Sequence, residues 1–410
     1  MSLLEQLTLP QVWQSFYNYK TSLVCPKRVS DELKRFVDGG EYAPVAENIL
    51  SGAAFPLPEK AVIAKADSAK KRVVYKYPRR ETVVLKLLTY LLLRQYDGLF
   101  ADNLYSFRPG RTAQDAVRRL LKTPGLRDKY AYKVDVHDYF NSIDIARFLP
   151  LLENALADDR PLVDFLASLL TEERVRERGR VVTEQKGIMA GTPQSAFYAN
   201  LYLNDLDRRF AASGATYVRY SDDIIVFDDT AEQTREYARQ IRAHLREKGL
   251  TVNPDKEAFF TPDTGFTFLG FFCKGGVVDI APFSVSKIKR KMKRKTRALE
   301  RWCGRNGIDR SKAVTAFIRV FNAKLLDAPT DNDLSWSSWF FSVINTADSL
   351  REIDAYAQNC LRRLATGTNT KARFNFTYED MKQAGYRSLV HEYYARRPER
   401  TAMKSTLSGG

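Results

Sequence analysis

Apolar and polar positions change their period several times along the chain, and each change marks an element. Residues 215–229 read ATYVRYSDDIIVFDD, with apolar, β-prone runs at 216–220 and 224–227 on either side of a polar break. Two such runs around a short break predict a β-hairpin. A further strand is expected at 130–136, and 258–278 carries several short ones, including FTFLGFF at 266–272. Helical periodicity covers 81–95, 112–122, 143–156, 160–170, 195–210 and 231–248, the last ended by Gly249. Residues 61–80 alternate apolar and basic positions, the pattern of a basic hairpin. Residues 1–60 read as an aromatic helix (Trp13, Phe16, Tyr17) and then as loop around Pro44, Pro56 and Pro58. From Ser284 onward the pattern is almost all helical. The central order of strand, helix, helix, hairpin, helix and strands predicts an α+β fold with helices on one face of a sheet, followed by a separate helical body.

Composition narrows the partner. The formal net charge is +16 over 410 residues. That excess implies a polyanion, most often nucleic acid, with an anionic membrane surface as the alternative. The longest apolar stretch, 83–93, is broken by Lys86 and is too short to span a bilayer, so no membrane is expected as a partner. The opening MSLLEQLTLP shows no basic region and no small-residue cleavage site, so a cytoplasmic protein is expected. Cys25, Cys273, Cys303 and Cys360 lie far apart without a C-x-x-C pair, which fits reduced thiols and no zinc site. With only His137, His244 and His391 available, any metal falls to carboxylates.

The hairpin tip holds Asp222 and Asp223. Adjacent carboxylates at a turn can lean to one side, where they repel unless a cation lies between them. Oxygen ligands of that kind suit Mg²⁺. A solvated acidic turn has the same local sequence. The second stretch, YAYKVDVHDYFNSI at 130–143, ends its strand at Asp135. A helix cap is better placed at Asp138 or Asn141. If Asp135 and Asp222 meet across adjacent strands, they can hold two Mg²⁺ ions for an in-line phosphoryl displacement.

In this order, over roughly residues 70–275, these stretches resemble the reverse transcriptases. VDVHDYFNSI resembles motif A, which implies Asp135 as a metal ligand, the Val136 carbonyl beside it, and Phe140 as the steric gate. A large ring there would meet a ribose 2′-hydroxyl and favour deoxynucleotides; an ordinary core aromatic is the other reading. YSDD resembles motif C, with Asp222 and Asp223 as its acidic pair and Tyr220 against nucleic acid. GIMAGTPQSAFYANLYL at 187–203 aligns on motif B but departs from it. Met189, Ala190 and Gly191 stand where Pro-Gln-Gly is usual, so the glutamine that contacts the incoming nucleotide is missing while Gly191 still permits close approach. FLGF at 268–271 resembles the primer grip, implying Phe268, Leu269 and Gly270. NLYSFRPGR resembles a fingers turn with Arg108 and Arg111. KKRVVYKYPRR resembles the first fingers motif, with Lys71, Arg72 and Lys76 toward triphosphate or template. Lys256 resembles the motif D lysine at the leaving pyrophosphate. KIKRKMKRKTRALERW at 287–302 has nine basic residues and one acidic. It falls where a thumb begins, and Lys287, Arg290, Lys291, Arg294 and Lys295 would lie along a phosphate backbone.

The resemblance implies a right-hand polymerase with fingers, a palm built on an antiparallel sheet, and an α-helical thumb. The expected divisions are a helical N-terminal extension (1–60), fingers (61–128), palm (129–283, with part of the fingers inserted at about 143–190) and thumb with C-terminal region (284–410). The implied activity is RNA-templated DNA synthesis from dNTPs with two Mg²⁺ ions. G-x-x-A-G-T-P-x-S-A and KKRVVY look most like defence-associated, abortive-infection-type enzymes, which implies an antiphage role with a cognate noncoding RNA. Retron and group II intron-like enzymes are the alternatives within the family. An RNA-binding scaffold like a maturase is the alternative of a different class, and three intact aspartates favour the polymerase. Oligomeric state is not legible.

Overall fold

Tyr130–Asp135 and Asp223–Asp228 are the inner strands of a four-stranded antiparallel sheet, with Thr216–Tyr220 and Ala258–Phe260 at its edges. Ile224, Ile225, Val226 and Phe227 are all buried, so this strand is covered on both faces and does not alternate. Ala231–Glu247 packs on both inner strands and buries Thr234, Ala238, Ile241 and Leu245 along one stripe. The computed structural model describes residues 1–23, 25–64, 71–327 and 336–396. They fall into two units, Met1–Thr264 and Gly265 onward.

In the first unit, Glu59–Ala64 and Lys71–Lys76 form the expected basic hairpin. A second hairpin, Arg174–Glu177 with Arg180–Thr183, extends its sheet through one parallel pairing of Glu59 with Arg176. Thr112 starts the helix Ala113–Leu121 with a capping box to Asp115, where the sequence pattern puts its beginning. Two expectations need correction. Residues 43–50, read as loop, are the helix Ala43–Leu50; Pro44 lies in its first turn, where a missing N–H costs nothing. The helix expected over 195–210 is two, Ser195–Tyr202 and Asn204–Ala212, divided at Leu203. Side chains on either side of the break are drawn to different partners, Tyr202 to the Lys248 carbonyl and Asn204 to the Leu99 carbonyl.

That break brings Asp207 beneath the hairpin. Arg219 and Asp207 are both fully buried. The guanidinium grips the carboxylate through Nε at 2.8 Å and Nη2 at 2.5 Å. Its remaining N–H groups donate to the carbonyls of Asn200 (2.9 Å) and Ser221 (3.2 Å). Tyr217 donates to the same carboxylate at 2.9 Å. Burial works against the Arg219 charge, but Asp207 outweighs it and raises the arginine pKa above its ordinary value.

In the second unit, Phe266–Phe268, Phe271–Lys274 and Val277–Ile280 form a meander. These strands, expected in the palm, group with the helical body. Pro282–Asn306 buries Val285, Met292, Thr296 and Leu299. Glu300 pairs with Arg363, and Lys289 with Glu352, so both bridges tie this helix to Asp348–Thr366. Buried Asp354 accepts from Tyr386, Ser388 and the N–H groups of Leu389 and Val390, which fixes the start of Leu389–Ala395. Among the described residues no helix is long and apolar enough to cross a membrane.

Removing one partner of a buried pair strands the other charge. Asp207→Asn should therefore cost about 3–5 kcal/mol in urea unfolding. Asp38→Asn, which removes the exposed Lys34–Asp38 pair, should leave the unfolding midpoint nearly unchanged. Equal costs would show that the buried pair carries no special weight.

Candidate active site

Strand register sets the positions of the three aspartates. Asp135 lies directly opposite Asp223. Tyr220 pairs with Asp223, so Ser221 and Asp222 are the two turn residues, with Ser221 at φ 60°. The Val136 N–H donates to the Asp222 carbonyl at 3.1 Å and clamps the turn to the end of the neighbouring strand. Asp135 is buried. Its carbonyl accepts from the Asn253 N–H at 2.8 Å, and its carboxylate accepts from the Asn253 amide at 3.2 Å and from Lys256 at 2.5 Å. Lys133, two residues earlier on the same face, stands 3.5 Å from Asp223.

Burial, then the charges of Asp135 and Asp223, push the Asp222 carboxyl up to about 6. Burial also raises Asp223, with Asp135 adding to it and Lys133 and Lys256 opposing. Burial lowers Lys256, but its bond to Asp135 and the charges of Asp222 and Asp223 outweigh that and lift it above the usual lysine value. Among the described residues no three acidic, histidine or cysteine side chains are gathered around a common point. Asp135 is turned to Lys256 and Asp223 to Lys133. The donor set nevertheless fits hard divalent cations: carboxylates crowded enough that Asp135 and Asp223 help raise the pKa of Asp222, next to a Val136 carbonyl that no described backbone N–H bonds.

The wall of the site is made by Tyr139–Ser142 and the loop before Ser195. Tyr139 is buried and donates to the Ala199 carbonyl at 2.6 Å, so it takes the core position. Phe140 is half-buried, edge-on to Phe107 and Tyr139. Its carbonyl accepts from the Ile188 N–H at 2.9 Å. Gly187, at φ 52°, lies so close that an added Cβ would overlap the Phe140 carbonyl oxygen and stand 2.7 Å from that of Asn141. Further along the loop, the Ala190 carbonyl accepts from the Tyr75 N–H at 2.8 Å. The close approach that Gly191 (φ 98°) permits is to Val74 and the Tyr75 backbone, not to open space.

A family model described as reverse transcriptase (RNA-dependent DNA polymerase) matches residues 63–273, just over half the chain. The chain belongs to the reverse transcriptase family. It is 29% identical over 167 residues to the retron Mx65 reverse transcriptase of Myxococcus xanthus, covering 37% of this chain and 36% of that one. It is 27% identical over 176 residues to the retron Ec73 reverse transcriptase of Escherichia coli, covering 40% and 52%. An uncharacterized 91 kDa protein in a cob intron of Schizosaccharomyces pombe is 24% identical over 260 residues, covering 48% and 31%. The matches thus span about a third to a half of these relatives. The apo telomerase of Candida tropicalis superposes with a TM-score of 0.49 at 12% identity, covering 83% of this chain and 63% of that one.

Other residues that the family pattern singles out have diverse surroundings. Arg72 and Lys76 are exposed and make no ion pair among the described residues; the Lys71 side chain lies outside them. Arg108 is corrected from nucleic-acid contact to staple. It is buried, pairs bidentately with Asp97, and donates also to the carbonyls of Asp97, Ala101 and Leu104, leaving no N–H for a phosphate. Arg111 is half-buried and pairs with Asp102. Tyr220 is half-buried beside the turn. In the second unit Phe268 is core, whereas Leu269 (φ 49°) and Gly270 (φ 88°) are the hairpin turn itself. Arg290, Lys291 and Arg294 are exposed on Pro282–Asn306, and Lys287 and Lys295 are half-buried. Sequence reasoning missed Asp207, Arg219, Asn253, Lys133 and Gly187. The signal for Arg219 was a charge inside the apolar run TYVRY, which needs a buried partner.

Gly187→Ala should destabilise the protein by about 2–4 kcal/mol, from left-handed strain and overlap together. Gly125→Ala, at φ 66° with nothing within 4 Å, should cost only about 1–2 kcal/mol. Chemical denaturation of both variants checks this, and a Gly187 variant no worse than the Gly125 one would remove the close-contact argument.

Proposed function

We propose that the protein is an RNA-templated DNA polymerase, with Asp135, Asp222 and Asp223 holding two Mg²⁺ ions. The observation that carries the reading is the pairing of Asp135 with Asp223 beside a turn clamped through Asp222, within a chain of the reverse transcriptase family. When bound, the ions would lower the pKa of the attacking 3′-hydroxyl and neutralise the departing pyrophosphate. The chain's own groups do the positioning. Val136 offers a carbonyl to the same ions. Lys256 releases Asp135 when that carboxylate is neutralised otherwise, and is then free to meet the leaving phosphate. Phe140, half-exposed at the wall, stands against the sugar and excludes a 2′-hydroxyl. Arg72, Lys76 and the basic helix Pro282–Asn306 offer charge to RNA template, triphosphate and DNA product. Likeness to two retron enzymes favours a retron-like reading in which a cognate noncoding RNA is the template, and an antiphage role belongs to the same proposal.

Two measurements test it. Primer extension on an RNA template with dNTPs and Mg²⁺ should proceed with the native protein, stop on chelation and resume when Mg²⁺ is restored. Asp222→Asn combined with Asp223→Asn should slow it by at least about a hundredfold. Undiminished extension by that double variant would end the assignment. Phe140→Ala should raise ribonucleotide use relative to deoxynucleotide use; an unchanged ratio would return Phe140 to a packing role.

A further inference from the structure

A second basic surface lies on the N-terminal helices, built from residues that the site above does not use. On Arg79–Gln95, Lys86, Tyr90 and Arg94 recur every fourth residue and share one face. Pro10–Ser22 adds Tyr19 and Lys20, with buried Phe16 beneath them. The aromatic groups touch in series: Phe16 and Tyr90 are edge-on at 5.3 Å, and Tyr19 and Tyr90 lie 4.8 Å apart. The Arg94 guanidinium lies 3.6 Å over Tyr90 and 4.3 Å from Tyr19, and Lys20 stands 5.6 Å from both Phe16 and Tyr19. None of the three cations forms an ion pair among the described residues. The nearby Glu32 and Glu41 are taken by Arg79 and Arg80. Burial lowers the Lys20 pKa, Cys25 opposes that and Arg94 adds to it; burial also lowers Lys86, and Lys20 adds to that. Lys20 thus meets a like charge from both Arg94 and Lys86.

We propose that this face binds a single-stranded RNA segment. Three unneutralised cations call for an anion, and Lys86 to Arg94 alone spans about 12 Å of helix, more than one phosphate covers. An extended chain of phosphates meets all three. The half-buried rings of Tyr19 and Tyr90 and the planar Arg94 guanidinium are the kind of surface on which unpaired bases stack. The Tyr19 and Tyr90 hydroxyls have no partner among the described residues and are open to a ribose 2′-hydroxyl. The inference does not depend on the polymerase reading, since a catalytically dead protein would keep this face.

The test uses the full chain carrying Asp222→Asn and Asp223→Asn, so that chemistry plays no part. A labelled 20-nucleotide oligouridine RNA is titrated by fluorescence anisotropy at several salt concentrations. Adding Lys20→Gln, Lys86→Gln and Arg94→Gln should flatten the slope of log affinity against log salt by about two units, roughly 0.7 for each phosphate that a cation no longer neutralises. The charge-keeping set Lys20→Arg, Lys86→Arg and Arg94→Lys should leave the slope unchanged. RNA carrying 4-thiouridine should crosslink to peptides from 16–23 or 86–95 of the unsubstituted surface. An unaltered slope in the glutamine set with a normal thermal melt would overturn the proposal, as would crosslinks confined to other regions. Should the glutamine set fail to fold, the crosslink map decides alone. Loss of binding to phosphatidylserine vesicles with the RNA slope intact would assign the face to membrane and also overturn it.

Discussion

The buried contact between Arg219 and Asp207 is the constraint on which the turn carrying Asp222 depends. A buried ion pair is weak evidence for net stability, because desolvation consumes most of what attraction returns. Its consequence here is geometric. One guanidinium binds the Asp207 carboxylate, the Asn200 carbonyl and the Ser221 carbonyl. The backbone of the same residue pairs with Asn103 and Tyr105. Two helices, an edge strand, a loop and the turn are thus referred to one planar group with fixed N–H directions. Ser221 precedes Asp222, so any movement of this hub is passed to the Asp222 carboxylate.

How much of this could be read from the sequence depended on whether the deciding interaction was local. The strand at 130–135, the hairpin and the three aspartates were legible, since alternation and turn chemistry are local. Their exact opposition was not: Asp135 was expected across from Asp222 and lies across from Asp223, because the turn uses Ser221 and Asp222 and places Asp223 first on the returning strand. Arg108 shows the opposite failure. A basic residue in NLYSFRPGR looks available to nucleic acid, and only the fold reveals that Asp97 and three carbonyls enclose it. Phe268 fails likewise, as an aromatic at the head of FLGF that turns inward. The hairpin at 174–183 carries too little apolar periodicity to announce itself, and only its first strand joins Glu59–Ala64, through the single pairing of Arg176 with Glu59.

The electrostatics of the aspartates show what the fold must offset. Three carboxylates on one strand end and its turn repel, and the chain answers with Lys256 on Asp135 and Lys133 near Asp223. These lysines permit the acids to be assembled side by side. Lys256 is the freer of the two, nearly half exposed against Lys133's 17%. It is the last residue of the short turn Pro254–Lys256, and Asn253 just before that turn ties the backbone to Asp135, so the side chain can swing without loosening the strand.

The loop before Ser195 explains how the chain keeps a working wall without the usual glutamine. At one end Gly187 and Ile188 are pressed onto the carbonyls of Phe140 and Asn141. At the other, the Ala190 carbonyl binds the Tyr75 N–H and Gly191 lies against the same strand. Both attachments are made by backbone, and both positions that demand close approach are glycine. The side chain at position 190 takes part in neither. Alanine where the family pattern has glutamine therefore leaves the link between the Tyr139–Ser142 helix and the Lys71–Lys76 strand intact. The departure from the family pattern thus leaves the wall's backbone untouched, and Phe140 beside it stays edge-on to Phe107 and Tyr139 while its carbonyl accepts from the Ile188 N–H.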